Sequence, residues 1–149
     1  MTLDSIKLTA SATPRCFVAE VMGRKCGYLS LMSGLATGAE KVYLNEEGIT
    51  LAGLAADSER MVESFRSGRS LYLVIRNGRA RVNYTTDVLA HIFAEEGKGL
   101  YDVREAILGH QQQGGSPTAF DRIMATKLVA HSLELLACAL KHGEPTASY

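Results

Sequence analysis

The chain has 149 residues, with 16 Lys+Arg balanced by 16 Asp+Glu, 46% hydrophobic residues and 21% charged ones. That length and composition suit one folded domain, or a large piece of one, and exclude a disordered chain. Zero formal charge excludes a nucleic-acid or anionic-membrane surface as the main partner, because both require an excess of Lys and Arg.

In chain order, residues 1–10 (MTLDSIKLTA) lack the apolar core of a signal peptide. Residues 16–22 (CFVAEVM) predict a strand, and residues 28–37 a short helix closed by Gly38. Residues 41–44 are short and β-rich. Residues 51–66 place Leu51, Leu54, Ala55, Met61, Val62 and Phe65 at amphipathic helical spacing, ending before Gly68. Residues 71–75 (LYLVI) form a continuous apolar run, as in a strand covered on both faces. Thr85, Thr86 and Asp87 offer N-cap chemistry for a helix over 86–96, stopped by Gly97 and Gly99. Residues 103–108 predict a weaker strand. Ser116 caps, and Pro117 opens, a last helix in which Phe120, Ile123, Met124, Leu128, His131 and Leu135 recur as far as Lys141. Residues 143–149 predict a loose tail. No stretch approaches the roughly 20 apolar residues of a membrane span.

The order βαβαβαβα predicts an α/β fold with a mostly parallel sheet and helices on both faces. Ligands of such sheets bind beyond the carboxyl ends of the strands. Two glycine-containing segments fall there, Met22–Gly27 and Gly109–Gly115. In the first, glycine lets backbone N–H groups approach a ligand, the following helix N-terminus favours an anion, and Arg24 adds a charge-assisted phosphate contact. A plain structural turn competes with that reading. The second places His110, Gln111, Gln112 and Gln113 in a row. Three consecutive glutamines cannot all face a core, so some donate to solvent or to a ligand. An exposed polar loop with a satisfied histidine is the competing reading.

Other residues carry less. Cys16, Cys26 and Cys138 are widely spaced with no C-x-x-C pair, so they read as small buried hydrophobes in a reducing cytosol rather than disulfide or zinc ligands. His91 and His131 fall on helices where core packing is the default, and His142 falls in a break. The adjacent pairs Glu46-Glu47 and Glu95-Glu96 read as solvated edges, and Arg79 and Arg81 as exposed residues of an Asn77-Gly78 turn. No nucleotide-binding glycine fingerprint occurs.

Three stretches, VMGRKCGY (21–28), ARVNYTTDVLAHIFAEEGKGLYDVR (80–104) and AILGHQQQGGSPTAFDRIMATKL (106–128), resemble ATP-dependent 6-phosphofructokinase. The likeness is greatest to the C-terminal, regulatory half of the long, duplicated form. It implies a parallel-sheet α/β fold in which Met22, Gly23 and Arg24 line the sugar-phosphate site. It also implies that Arg15 and Arg104 reach into a neighbouring subunit's site and that His110 holds the sugar phosphate, with Gln111, Gln112 and Gln113 in the same loop. Gln113 stands where active halves carry arginine and agrees with the regulatory halves, which bind fructose 2,6-bisphosphate. Gly78 stands, counted without a gap, where a glutamate grips the sugar hydroxyls. Arg24 is closer to the active-half pattern.

By the same resemblance the ATP loop, the magnesium-binding segment and the catalytic aspartate precede this region, and the chain begins within the helix that follows that aspartate. Residues 1–142 are thus expected to be the sugar-phosphate or effector-binding part, with residues 143–149 a flexible tail. The partners implied are fructose 6-phosphate or fructose 2,6-bisphosphate, the nucleotide-binding part and neighbouring subunits of a cytoplasmic homo-oligomer. Magnesium and ATP belong to the parent enzyme. The chain itself is expected to hold no cofactor, metal or catalytic residue and to be inactive alone. The alternative is a stand-alone sugar-phosphate-sensing or interface module without kinase activity.

Overall fold

The computed structural model describes residues 2–8 and 13–142, divided into a first unit, Met1–Gln112, and a second, Gln113–Tyr149. Along the first unit run α1 (Thr2–Leu8), β1 (Arg15–Val21), α2 (Tyr28–Thr37), β2 (Lys41–Tyr43), α3 (Leu51–Arg66), β3 (Leu71–Asn77), α4 (Thr86–Gly97), β4 (Asp102–Ile107) and a 3-10 turn (Gly109–Gln112). The strands form one parallel sheet in the order β2-β3-β1-β4. This is the predicted α/β architecture, led by the helix that the resemblance placed at the start of the chain.

Alternation along β1 and β3 builds the core on both faces of the sheet. Cys16 and Val18 of β1, with Tyr72 and Val74 of β3, pack against Leu54, Met61 and Phe65 of α3 and Leu89 and Phe93 of α4. Phe17, Ala19 and Val21, with Leu73 and Ile75, face the opposite way, toward Leu3 and Ile6 of α1. The apolar runs in the sequence are therefore strands buried twice over. Phe65 stacks on Tyr101 with ring centroids 4.2 Å apart, closing the first of these layers.

Helix α2 approaches the sheet through small residues. Ser30 and Gly34 are its buried positions, one turn apart on one face. A methyl group at Gly34 would lie 2.4 Å from Val42 Cγ2. The large apolar side chains of α2, Tyr28, Leu29, Leu31, Met32 and Leu35, are exposed instead. Gly38 takes a left-handed φ of 61° and ends the helix as predicted, its N–H returning to the last turn.

Several expectations are corrected. Strand β3 runs on through Arg76 and Asn77, both almost wholly buried; polar residues there read as a turn because their partners lie far away in sequence. Of the cysteines, Cys16 is buried but Cys26 is exposed, and none is in a disulfide. His91 is exposed, with Nδ1 3.0 Å from the Asp87 carbonyl oxygen, so it is not a core histidine.

The second unit holds α5 (Ala119–His142). Its cap is Thr118 rather than Ser116: the Asp121 N–H donates to Thr118 Oγ1 at 3.3 Å, and the Thr118 N–H donates to Asp121 Oδ2 at 2.7 Å. This reciprocal box satisfies two orphan donors, and both Thr118 groups hold the Asp121 carboxyl below its ordinary value. His142 lies within the helix, not beyond it, and its Nδ1 is 3.6 Å from Cys138 Sγ. Within this unit α5 is the one helix or strand among the described residues, so His131 has no core of its own to enter. By length and composition α5 is also apolar enough to cross a membrane, with a mean hydropathy of 1.5, against the expectation that no stretch comes close. Ile123, Leu128, Val129, Leu133, Leu135 and Leu136 raise the average although Lys127, His131 and Glu134 interrupt it. The tail 143–149 lies outside the described residues.

Candidate functional site

Parallel pairing carries both glycine segments to one end of the sheet. Strands β1 and β4 pair from Arg15↔Asp102 to Glu20↔Ile107. Met22–Gly27 and Gly109–Gln112 therefore leave neighbouring carboxyl ends, and the Leu108 N–H donates to the Glu20 carbonyl at 3.1 Å as β4 turns away.

The first loop is held at several of its backbone groups. The Met22 N–H donates to Gln112 Oε1 at 2.7 Å. The Cys26 N–H donates to the Gly23 carbonyl at 2.8 Å, closing a turn around Arg24 and Lys25. Asn45 Nδ2 donates to the Lys25 carbonyl at 3.1 Å, and Asn77 Nδ2 to the Cys26 carbonyl at 2.9 Å. The Gly27 N–H donates to Glu46 Oε1 at 2.8 Å, and the Gly27 carbonyl accepts from Leu31 to begin α2. Only glycine fits at position 23, where a Cβ would meet the Cys26 carbonyl oxygen at 2.4 Å and Asn77 Nδ2 at 2.6 Å.

These bonds hold Arg24 at φ 44°. A non-glycine residue in the left-handed region costs about 1–2 kcal/mol, and such strain persists only where the surroundings over-determine it. The Arg24 side chain is exposed, so its guanidinium stands at the mouth of the loop rather than in the core.

Glu46 is exposed, as the sequence predicted, and it is also the acceptor at the start of α2. The Gly27 N–H is the main cause that holds its carboxyl below the ordinary value of 4.5. A negative charge there also suits the helix dipole.

Beside the loop lies a part-buried ion pair. Arg76, with a side chain only 2% exposed, donates to Glu20 Oε2 at 2.7 Å. It also donates to the Tyr84 carbonyl at 3.0 Å and to the Arg81 carbonyl at 2.9 Å. The Thr86 hydroxyl donates to the same Glu20 oxygen. Burial pulls the Arg76 guanidinium below its ordinary value while Glu20 works against that fall. The network straps residues 81–86 to the ends of β1 and β3.

Of the predicted site residues, Met22, Gly23, Arg24, His110, Gln111 and Gln112 gather at this end of the sheet. Arg15 does not: it opens β1, at the opposite end. Arg104 lies within β4 and shares a face with Arg15, since Phe17 pairs with Arg104 and Arg15 with Asp102. It is 3.5 Å from Asp102. Gln113 opens the second unit. Sequence reasoning missed Asn45, Glu46, Asn77 and Glu20. Their common signal was available: each lies within two residues of the carboxyl end of a predicted strand. Among the described residues no group of three or more His, Cys, Asp or Glu could hold a metal ion.

A parallel sheet with a clamped glycine loop and an exposed arginine beyond its carboxyl ends defines an open α/β architecture of the ligand-binding kind. The phosphofructokinase family model matches residues 1–136, and the chain belongs to that family. It is 50% identical over 142 residues to the ATP-dependent 6-phosphofructokinase of Dictyostelium discoideum, covering 95% of this chain and 17% of that relative. It is 45% identical over 143 residues to the muscle type of Oryctolagus cuniculus, covering 95% and 18%. The phosphofructokinase structure from Saccharomyces cerevisiae superposes with a TM-score of 0.84 at 37% identity, over 96% of this chain and 20% of that one. The Pichia pastoris enzyme in the T-state gives 0.81 at 38% identity, over 90% and 16%. The chain thus spans less than a fifth of the length of the curated relatives named here.

Proposed function

We propose that this chain is the sugar-phosphate-binding part of an ATP-dependent 6-phosphofructokinase and that its own ligand is a fructose phosphate. The observation that carries this reading is the Met22–Gly27 loop, which holds Arg24 in a strained conformation beside the His110 turn. A phosphate dianion suits an arginine fork with an imidazole nearby. The loop is ordered through its own bonds, so little conformational freedom remains to be lost on binding.

In the parent reaction ATP and magnesium would supply the phosphoryl group and neutralise its charge. The residues of this chain would bind and orient the sugar phosphate. No residue here is assigned as base, and the 149-residue chain is expected to be inactive by itself. Arg15 and Arg104, on one face at the far side of the sheet, would serve a neighbouring subunit's site. Gln113 favours fructose 2,6-bisphosphate as effector over fructose 6-phosphate as substrate, because it agrees with the regulatory-half pattern rather than with the active-half arginine.

Titration calorimetry of the full chain tests this. Fructose 2,6-bisphosphate is expected to bind more tightly than fructose 6-phosphate, and both more tightly than inorganic phosphate. Absence of binding by all three overturns the reading. Production of fructose 1,6-bisphosphate from ATP, magnesium and fructose 6-phosphate would overturn the inactivity. A second reading, an interface module, is favoured by the exposed Tyr28, Leu29, Met32 and Leu35 of α2; concentration-dependent self-association without ligand binding would support it.

A further inference from the structure

The missing glutamate at position 78 leaves a sugar site without the group expected to accept its hydroxyls. A neighbour stands in that place. A Cβ added at Gly78 would lie 3.0 Å from Glu20 Oε1, 3.5 Å from its Cδ and 3.8 Å from its Cγ. Any side chain at position 78 would therefore cover this carboxylate, and glycine leaves it open. The Glu20 side chain is 27% exposed.

The two oxygens of Glu20 differ. Oε2 accepts from Arg76 and from Thr86. Oε1 has no hydrogen-bond partner among the described residues. One oxygen is thus fixed by a buried arginine, and the other faces the gap with lone pairs unused. Glu20 also lies at the end of β1, two residues before Met22, so the gap opens beside the loop that presents Arg24. The Gly78 N–H donates to the Val21 carbonyl at 3.1 Å, which holds the gap against the end of β1.

We propose that Glu20 replaces the absent glutamate: its Oε1 accepts hydrogen bonds from hydroxyls of the sugar whose phosphate meets Arg24, and Gly78 is the residue that makes this possible. The chemistry favours it. An ionised carboxylate accepts only, so it recognises the hydroxyls of a sugar chain. Arg76 keeps the carboxylate in one orientation, so the acceptor is placed before the ligand arrives. Glu20 is a binding residue in this assignment and Arg76 a positioning residue.

The inference rests on the fructose-phosphate reading, and the test separates the two. Fructose 6-phosphate and inorganic phosphate are titrated into the full chain and into Gly78→Ala and Glu20→Gln. Gly78→Ala puts a methyl over Oε1 and leaves the Arg76 pair intact, which keeps the test valid if Glu20→Gln fails to fold. The expected result for Gly78→Ala is a loss of about tenfold in fructose 6-phosphate affinity, the size of one hydrogen bond to a charged group, with inorganic phosphate unchanged. A merely structural role would weaken both ligands together. Unchanged fructose 6-phosphate affinity in Gly78→Ala overturns the role of Glu20 and leaves the fructose-phosphate reading standing. Failure of the unmodified chain to bind fructose 6-phosphate and fructose 2,6-bisphosphate alike overturns that reading, and the role of Glu20 falls with it.

Discussion

The backbone N–H of Met22 donates to the side-chain oxygen of Gln112 at 2.7 Å across ninety residues of chain. Gln112 is thus committed through that oxygen to the protein, where the sequence suggested a ligand contact. Its role is to tie the two loops of the site together.

Replacing Gln112 measures the tie. Gln112→Ala is expected to speed hydrogen exchange at the Met22 amide about fivefold to tenfold, the scale of one net hydrogen bond of ~1 kcal/mol. Gln112→Glu keeps an acceptor and should leave that amide protected. Equal exchange in all three chains would show that the bond does not hold the loop.

Arg24 separates stability from binding. Arg24→Gly relieves the left-handed penalty of ~1–2 kcal/mol and adds glycine's flexibility cost of ~0.5–1 kcal/mol. The net expectation is a chain more stable by about 0.5 kcal/mol in urea unfolding, with inorganic phosphate binding lost. Arg24→Ala should lose the binding without the gain. Retained phosphate affinity in both variants would remove Arg24 from the site.

Gly34 and Val42 form a coupled pair. Gly34→Ala drives a methyl against Val42 Cγ2 and is expected to cost about 2 kcal/mol, in the range of overpacked cores. Val42→Ala opens a void, yet the double variant should be more stable than the sum of the single losses predicts. A double-mutant cycle in chemical denaturation reads the coupling. Simple additivity would mean that α2 shifts away from β2 rather than clashing.

Glu46 gives the loop an acid limit. Its carboxyl is held below the ordinary 4.5, so the folded state binds its proton less readily than the unfolded chain does. Its contribution is therefore full above pH 4.5 and is lost as pH falls through the lower folded value. Protection of the Gly27 amide should be flat from neutrality to that point and fall below it. Glu46→Gln should flatten the acid-side fall in a pH series of amide exchange. An unaltered fall would place the acid sensitivity on another carboxylate.

Much of the fold could be read from periodicity because its determinants are local. Helix α2 and helix α3 end where the sequence predicted, at Thr37 and Arg66, since Gly38 and the residues before Gly68 act on the chain beside them. The carboxyl end of β3 could not be read this way. Arg76 and Asn77 look like a turn until Glu20, Tyr84 and Cys26 close around them, and those partners are set by strand order. The same holds for the site. Its two glycine loops were visible as motifs, but the distinction between residues that face a ligand and residues that hold the loop depends on contacts across the sheet. Glu46, Asn77 and Gln112 all fall on the holding side for that reason.

The sheet order also governs how the site comes into being. Strand β1 is central, and its partner β4 joins it by pairing Arg15 with Asp102, which closes a long loop of chain. Contacts this distant in sequence form slowly and late, because the loop they close is long. The Met22–Gln112 bond can exist only after that last strand has docked. Completion of the site and completion of the sheet are therefore the same event, and the Met22 amide should report whether the first unit has finished folding.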